Sequence, residues 1–375
     1  MRTADVAIIG GGIVGCSVAF YLTRAGVRRV SLFERKSLAS GATGICPGGI
    51  RQQFANEAEC RFARHSVRFF DEINAILEPD TPFHFERSGY LFLAESRRAI
   101  KDLDERIAMQ NRLSVPSRFV GADEIGSMLP HLNLDGVLGG SFCAEDGFLE
   151  DCHGVTVALA RRARDRGAQI VYDEVTQLRF VDSAVQISTT RDTCQASAVV
   201  LAAGADSVGL ASQLGIALPV VAEPRRLLYT APHAVSVLPS LVVAPERTFA
   251  GKQLSNGVFY LGWLAETPAD DTLTFVERTM AAGSTLLPLL ADLPVRRTVA
   301  GTYDTTPDRR PIVGAVPGFE RVHIAAGFSG HGFMLAPAIG EVVAAGITGR
   351  AIDLPVHEFS IGRFSGPIST ETLSV

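Results

Sequence analysis

The chain has 375 residues, 47% of them hydrophobic, enough for two or three domains at about 150 residues each and for a large buried core. A net charge of −5, with both signs scattered along the chain, gives no electrostatic footprint for a nucleic-acid partner. No uninterrupted run of about 18 apolar residues predicts a spanning helix, and the six cysteines show neither a CxxC pair nor His/Cys ligand spacing, so no metal is expected.

Ala4-Asp5-Val6-Ala7-Ile8-Ile9 is a short apolar run suited to a parallel strand buried on both faces. It leaves no room for a basic and then apolar export segment, so free thiols and a cytoplasmic location are expected. The strand runs into Gly10-Gly11-Gly12-Ile13-Val14-Gly15, with the G-x-G-x-x-G spacing at Gly10, Gly12 and Gly15. Residues 13–25 read as a helix stopped by Gly26, and a second strand from Val30 to Phe33 ends on Glu34. In that context Gly10 permits the tight turn, Gly12 lets backbone approach a pyrophosphate, and Gly15 lets helix and strand pack closely. The helix N-terminus offers unpaired N–H groups to phosphate, and Glu34 stands where an acid accepts ribose hydroxyls. An acid there repels a 2′-phosphate, which disfavours NADP and leaves NAD and FAD open.

Small residues follow from Ser37 to Gly44 and again at Pro47-Gly48-Gly49-Ile50-Arg51-Gln52-Gln53-Phe54, letting backbone run close to a flat ligand. A later strand from Gln195 to Leu201 leads into Ala203 and Gly204. Near the end, Thr306-Pro307-Asp308-Arg309-Arg310-Pro311-Ile312-Val313-Gly314 precedes Ala325-Ala326-Gly327-Phe328-Ser329-Gly330-His331-Gly332-Phe333, a glycine-rich loop feeding a predicted helix from Met334 to Thr348.

These segments together resemble the D-amino-acid oxidase superfamily of flavoenzymes, in its glycine oxidase and sarcosine oxidase type, from the first strand to Asp353-Leu354-Pro355. The resemblance implies an α/β fold. A Rossmann-like FAD-binding domain would be made of residues 1–82, 148–221 and 295–375. A second, α+β substrate domain on a mixed or antiparallel sheet would be made of 83–147 and 222–294. It implies FAD as cofactor, cradled by Gly10, Gly12, Ile13, Val14, Gly15, Glu34, Arg35, Ser40, Gly41, Ala42, Thr43 and Gly49. From farther along the chain, Val175, Ala203, Gly204, Gly301, Gly327, Phe328, Ser329, Gly330, His331, Gly332 and Phe333 complete that set. A helix N-terminus behind the glycine loop would stabilise negative charge on the reduced ring.

For the substrate, Arg51 matches an arginine that binds the carboxylate in sarcosine oxidases, although a surface arginine is the plainer alternative. A guanidinium fork suits a carboxylate through two parallel charged hydrogen bonds. Tyr303 stands where the sarcosine type has a tyrosine and the glycine oxidase type an arginine. Met334 replaces the second, lysine anchor of sarcosine oxidases, a departure that implies a looser hold or a larger substrate. Gly301 stands in place of the cysteine that tethers FAD in monomeric sarcosine oxidases, so non-covalent FAD is expected, with Cys46 read as a small hydrophobe. His331 is a candidate for acid–base work or for capping the glycine loop, and Lys252 for lying over the flavin. Tyr229, Tyr260 and Trp263 are candidate pocket walls.

The implied reaction is hydride transfer from the carbon beside nitrogen to flavin N5. It would act on a small amino acid or secondary amine of sarcosine, proline or opine type, giving an imine that water hydrolyses. The electron acceptor, whether oxygen, quinone or a partner subunit, stays open. Alternatives are a flavin-bearing subunit in a hetero-oligomer and a non-catalytic assembly factor.

Overall fold

The computed structural model of the chain describes residues 2–265, 267, 270–366 and 370–373; the expected domain limits at 1 and 375 lie outside them. A first sheet of eight strands has at its centre Arg2–Ile9, flanked in parallel by Thr193–Leu201 and Val30–Glu34. Gln169–Tyr172 extends it in parallel on one side, and Phe319–Ala326 on the other, followed by the antiparallel Ile312–Val316. A hairpin of Val175–Val181 and Ala184–Thr189 is paired with Thr193–Leu201. Strands buried on both faces need continuous apolar sequence, which Val6 to Ile9 and Val199 to Leu201 supply.

Helix Ile13–Arg24 follows the first strand and stops before Gly26, whose φ of +90° ends the helix where a side chain would strain. Helix Gly332–Thr348 packs across it. Gly340 makes that crossing close, since a Cβ there would lie 2.3 Å from Ser17 Oγ, and Ser17 Oγ donates to Ala336 O at 2.8 Å. Both helices belong to one apolar core, and their N-termini point to the same side of the first sheet.

The second sheet, also of eight strands, runs in the order Val295–Thr305, Val221–Pro232, Val258–Trp263, Phe249–Gln253, Leu241–Ala244, Tyr90–Ala94, Gly139–Cys143, Arg118–Gly121. All neighbours are antiparallel except Leu241–Ala244 with Tyr90–Ala94. The strand Val295–Thr305, which the sequence boundary at 295 assigns to the FAD-binding part, is hydrogen-bonded along Val221–Pro232 in this second sheet. Apolar alternation alone does not say which sheet an edge strand joins, and here ten register pairs decide it. Among the described residues no helix is long and apolar enough to cross a membrane, and all six cysteines are free.

Candidate active site

The two sheets meet over a cavity of about 770 Å³, walled at one end by the glycine-rich turn and at the other by the second sheet. At the turn Gly10 has φ +114°, and a Cβ on it would stand 2.3 Å from Ala202 O. Gly15 serves packing and does not line the cavity: its Cβ would meet Gly10 O at 2.0 Å. Gly12 is the N-cap of helix Ile13–Arg24 and supplies no side-chain cap, so the first-turn N–H groups open toward the cavity. Thr43 Oγ1 accepts from one of them, Ile13 N, at 3.1 Å.

Glu34, at the end of its strand, accepts from Gly11 N and Lys36 N, each at 2.8 Å. Its carboxylate is thereby held at the cavity wall. Arg35 lines the rim and pairs with Asp206 at 2.7 Å. Ile13, Val14, Ser40, Gly41, Ala42, Thr43, Gly49, Val175, Ala203 and Gly204 share the same cavity. Gly301 does not: its Cβ would stand 1.6 Å from Ile45 Cδ1, and it is Ile45 that reaches the wall.

The second glycine loop turns through left-handed backbone at Gly327, Ser329 and Gly330, with φ of +78°, +50° and +92°. Phe328 to Phe333 line the cavity, whereas Gly327 packs against Thr306 outside it. Asp304 Oδ2 accepts from Gly327 N at 2.6 Å, and burial pushes its carboxyl up to about 6. Tyr303 lies against this loop, its ring under Gly330, where a Cβ would stand 2.6 Å away. The residues present fit FAD. Two helix N-termini whose N-cap residues give no side-chain cap face one long cavity, glycines stand where Cβ atoms would clash, and an acid stands at ribose reach from the first turn.

Arg51 leaves the short strand Gly49–Ile50 and is 1% exposed, yet its side chain forms part of the cavity wall. Its guanidinium lies 4.1 Å above the Phe54 ring. Nη1 donates to Gln53 O, and Nη2 donates to Leu373 O and contacts His331 Nε2 at 3.0 Å. Among the described residues no carboxylate is within ion-pair distance of it, so a buried cation lines the cavity with neutral partners only. Met334 lines the wall nearby, 8% exposed, with no charge to offer.

Two further expectations from sequence are corrected. Lys252 is not on the cavity wall. It is 1% exposed, its Nζ donates to Pro239 O at 2.5 Å and Gln253 O at 3.3 Å, and carbonyls turn it into the second sheet. Tyr229 is likewise off the wall, stacked with Arg297, while Tyr260 and Trp263 line it. Sequence reasoning missed Asp304, Arg225, Arg226 and Arg309 as wall residues and Glu59 behind His331. Glu59 carries no spacing signal, because 272 residues separate it from its partner.

Comparison with known proteins gives a match between residues 5–345 and a family model described as FAD dependent oxidoreductase. Human mitochondrial sarcosine dehydrogenase is 25% identical over 96% of this chain, which spans only 41% of that protein's length. Sarcosine oxidase subunit beta of Arthrobacter sp is 26% identical over 97% of this chain and 91% of its own. Among solved structures, L-proline dehydrogenase from P. horikoshii superposes with a TM-score of 0.91 at 30% identity, covering 97% of this chain and 98% of that one.

Proposed function

The chain belongs to the family of FAD dependent oxidoreductases, and on that premise we propose that it oxidises the carbon–nitrogen bond of a small amino acid or secondary amino acid held through its carboxylate by Arg51. The observation that carries the reading is the buried guanidinium in the wall of the cavity, with no carboxylate at ion-pair distance among the described residues. A buried cation without a counter-ion is costly, and an anionic ligand group relieves that cost. The proteins it resembles act, by their names, on sarcosine and on L-proline, both carboxylates with a secondary amine.

Bound FAD supplies the two-electron acceptor for the hydride that leaves the carbon beside nitrogen. The chain's own residues bind and orient. Arg51 holds the carboxylate, and Tyr303 and Tyr260 stand along the walls between the glycine loop and the second sheet. The low-dielectric pocket and the nearby cation favour the neutral amine, whose lone pair assists the departure of hydride. The product imine hydrolyses in water. Anaerobic titration with amino acids and amines, read by loss of the flavin absorbance, tests this. Bleaching by proline or sarcosine at concentrations well below those at which pyrrolidine or dimethylamine bleaches is expected; equal bleaching by each pair of partners, or none by any amino acid, sinks the reading.

A second reading concerns assembly. The near end-to-end match to a subunit of sarcosine oxidase supports a role as the flavin-bearing subunit of a larger complex. The mass of the native protein, measured by light scattering after purification from its own cells, distinguishes this from a chain acting alone.

A further inference from the structure

An arginine only donates hydrogen bonds, so the 3.0 Å contact between Arg51 Nη2 and His331 Nε2 fixes the state of the imidazole. Nε2 presents its lone pair to the guanidinium. Burial at 2% exposure, with the charges of Arg51 and Arg309 beside it, holds the ring well below the usual histidine range, so it is neutral. The one ring proton is then on Nδ1. That atom faces Glu59 Oε1 at 3.8 Å, and neither has a hydrogen-bond partner elsewhere among the described residues.

Glu59 is fully buried near the start of helix Glu57–Asp71. Its orientation is fixed by Asn56, the N-cap of that helix. Asn56 Oδ1 accepts from Glu59 N at 3.0 Å, which forces Nδ2 toward Glu59 Oε2 at 2.5 Å and Glu371 Oε2 at 2.8 Å. Arg310 Nε stands 3.9 Å from the same Oε2. Burial and the Glu371 carboxylate push the Glu59 carboxyl up. Oε2 is committed to Asn56, which leaves Oε1 facing His331.

We propose that Glu59 is a positioning residue for the carboxylate anchor: through Nδ1–H of His331 it holds the imidazole so that Nε2 accepts from Arg51 and keeps the guanidinium set in the cavity wall. The proposal rests on the reading of Arg51 as that anchor. In this arrangement His331 is turned away from acid–base work, because Nε2 accepts from Arg51 and Nδ1 faces the buried Glu59 Oε1 at 3.8 Å. The relay joins residues 51, 59 and 331 from three separate segments into one rigid support, in the way outer partners orient the groups that touch a ligand.

Glu59→Gln is the informative change because the neighbours dictate how a glutamine sits. Asn56 Nδ2 donates to the Oε2 position and the Arg310 cation stands 3.9 Å from it, so the amide oxygen goes there and the amide NH₂ faces His331 Nδ1. Nδ1 must then accept, the ring proton moves to Nε2, and two donors confront each other at Arg51.

Two measurements on the full-length, FAD-loaded protein test this. Nitrogen-15 NMR of labelled histidines, with the His331 signals identified by their loss in His331→Gln, reads the tautomer. The wild type is expected as Nδ1–H and Glu59→Gln as Nε2–H; a wild-type ring with its proton on Nε2, or on both nitrogens, overturns the relay. That reading needs no variant at position 59 to fold and does not depend on what Arg51 binds. The second is the Kd of acetate, read from the shift it causes in the flavin spectrum. Glu59→Gln is expected to raise it roughly tenfold, as one charge-assisted bond is misaligned, with FAD still bound and Glu59→Asp recovering part. An unchanged acetate Kd alongside retained FAD overturns the positioning role. If acetate fails to perturb the wild type while the tautomer is as expected, the carboxylate reading of Arg51 fails and the relay stands.

Discussion

Replacing Arg51 with alanine removes the only charged group that the proposed reading gives to the substrate carboxylate. The guanidinium has five N–H groups; Nη1 commits one to Gln53 O, and both hydrogens of Nη2 go to Leu373 O and His331 Nε2. Either parallel two-point grip on a carboxylate requires an Nη2 hydrogen. With these contacts in place the substrate therefore takes a single charge-assisted bond, worth about 1.5–3 kcal/mol, or roughly 10- to 150-fold in kcat/KM. The assay compares anaerobic flavin reduction by proline and by pyrrolidine in wild type, Arg51→Ala and Arg51→Lys, with FAD content confirming that the fold survives. Proline should lose by the stated factor and pyrrolidine hardly at all, with lysine recovering part because an ammonium lacks the planar fork. A loss beyond about a thousandfold means that the substrate uses two points and displaces Leu373 or His331. Equal losses for the two compounds mean that Arg51 does not read a carboxylate at all.

Glu34→Gln should weaken FAD retention by about 1–3 kcal/mol, since a charged acceptor at the ribose position is lost while Gly11 N still finds an oxygen; unchanged FAD affinity by equilibrium dialysis refutes it. Asp304→Asn should leave stability unchanged near pH 4 and raise it at pH 8. The folded-state pKa of about 6 lies above the unfolded 3.8, so Asp304 contributes stability below pH 4 that is lost as pH rises through 6. On the order of 1–3 kcal/mol is at stake, read from Tm at the two pH values. FAD should leave the wild-type protein on acid precipitation, as Gly301 offers no sulfur. Gly301→Cys should weaken FAD binding by about 1–3 kcal/mol by driving Ile45 into the cavity, with Ile45→Ala restoring it.

The parts of the fold that were legible in the sequence are those where one local rule decides. Gly10, Gly12 and Gly15 between an apolar strand and a helix have a single geometric solution, and the structure has Arg2–Ile9 and Ile13–Arg24 on either side of it. The stop at Gly26 and the acid at Glu34 follow from backbone freedom and spacing in the same way. What was not legible depends on partners far along the chain. Val295–Thr305 reads as a strand from its alternation, but only its pairing with Val221–Pro232 says which sheet it completes. Lys252 reads as a cation that could lie over the flavin, and only the Pro239 carbonyl and the Glu86 carboxylate show that its charge is met away from the cavity. Arg51 was legible as a candidate through the residues around it, and it does line the cavity, whereas Glu59, eight positions later on a helix, reads as an ordinary first-turn acid.

The charge on Arg51 has a consequence for pH dependence that a purely steric anchor would lack. In water the carboxylate of an amino acid stabilises its own ammonium. Pairing that carboxylate with a guanidinium cancels the stabilisation, and the enclosed cavity penalises the ammonium further, so the bound amine should titrate on the order of one to two units below its value in water. His331 is a poor acceptor for that proton, because burial and the Arg51 charge hold its ring well below the usual histidine range and Nε2 already accepts from Arg51. The rate of flavin reduction at saturating proline should then rise with pH to a plateau whose midpoint lies that far below the free amine. In Arg51→Ala the midpoint should move up toward the free value, because the unpaired carboxylate again stabilises the ammonium. Pyrrolidine, with no carboxylate to pair, feels the bare guanidinium in the wild type, so its midpoint should lie further below the free amine than that of proline and should also move up in Arg51→Ala. Stopped-flow flavin reduction across pH 6–11 separates these outcomes, and a proline midpoint that does not move when the arginine is removed refutes the electrostatic role given to it.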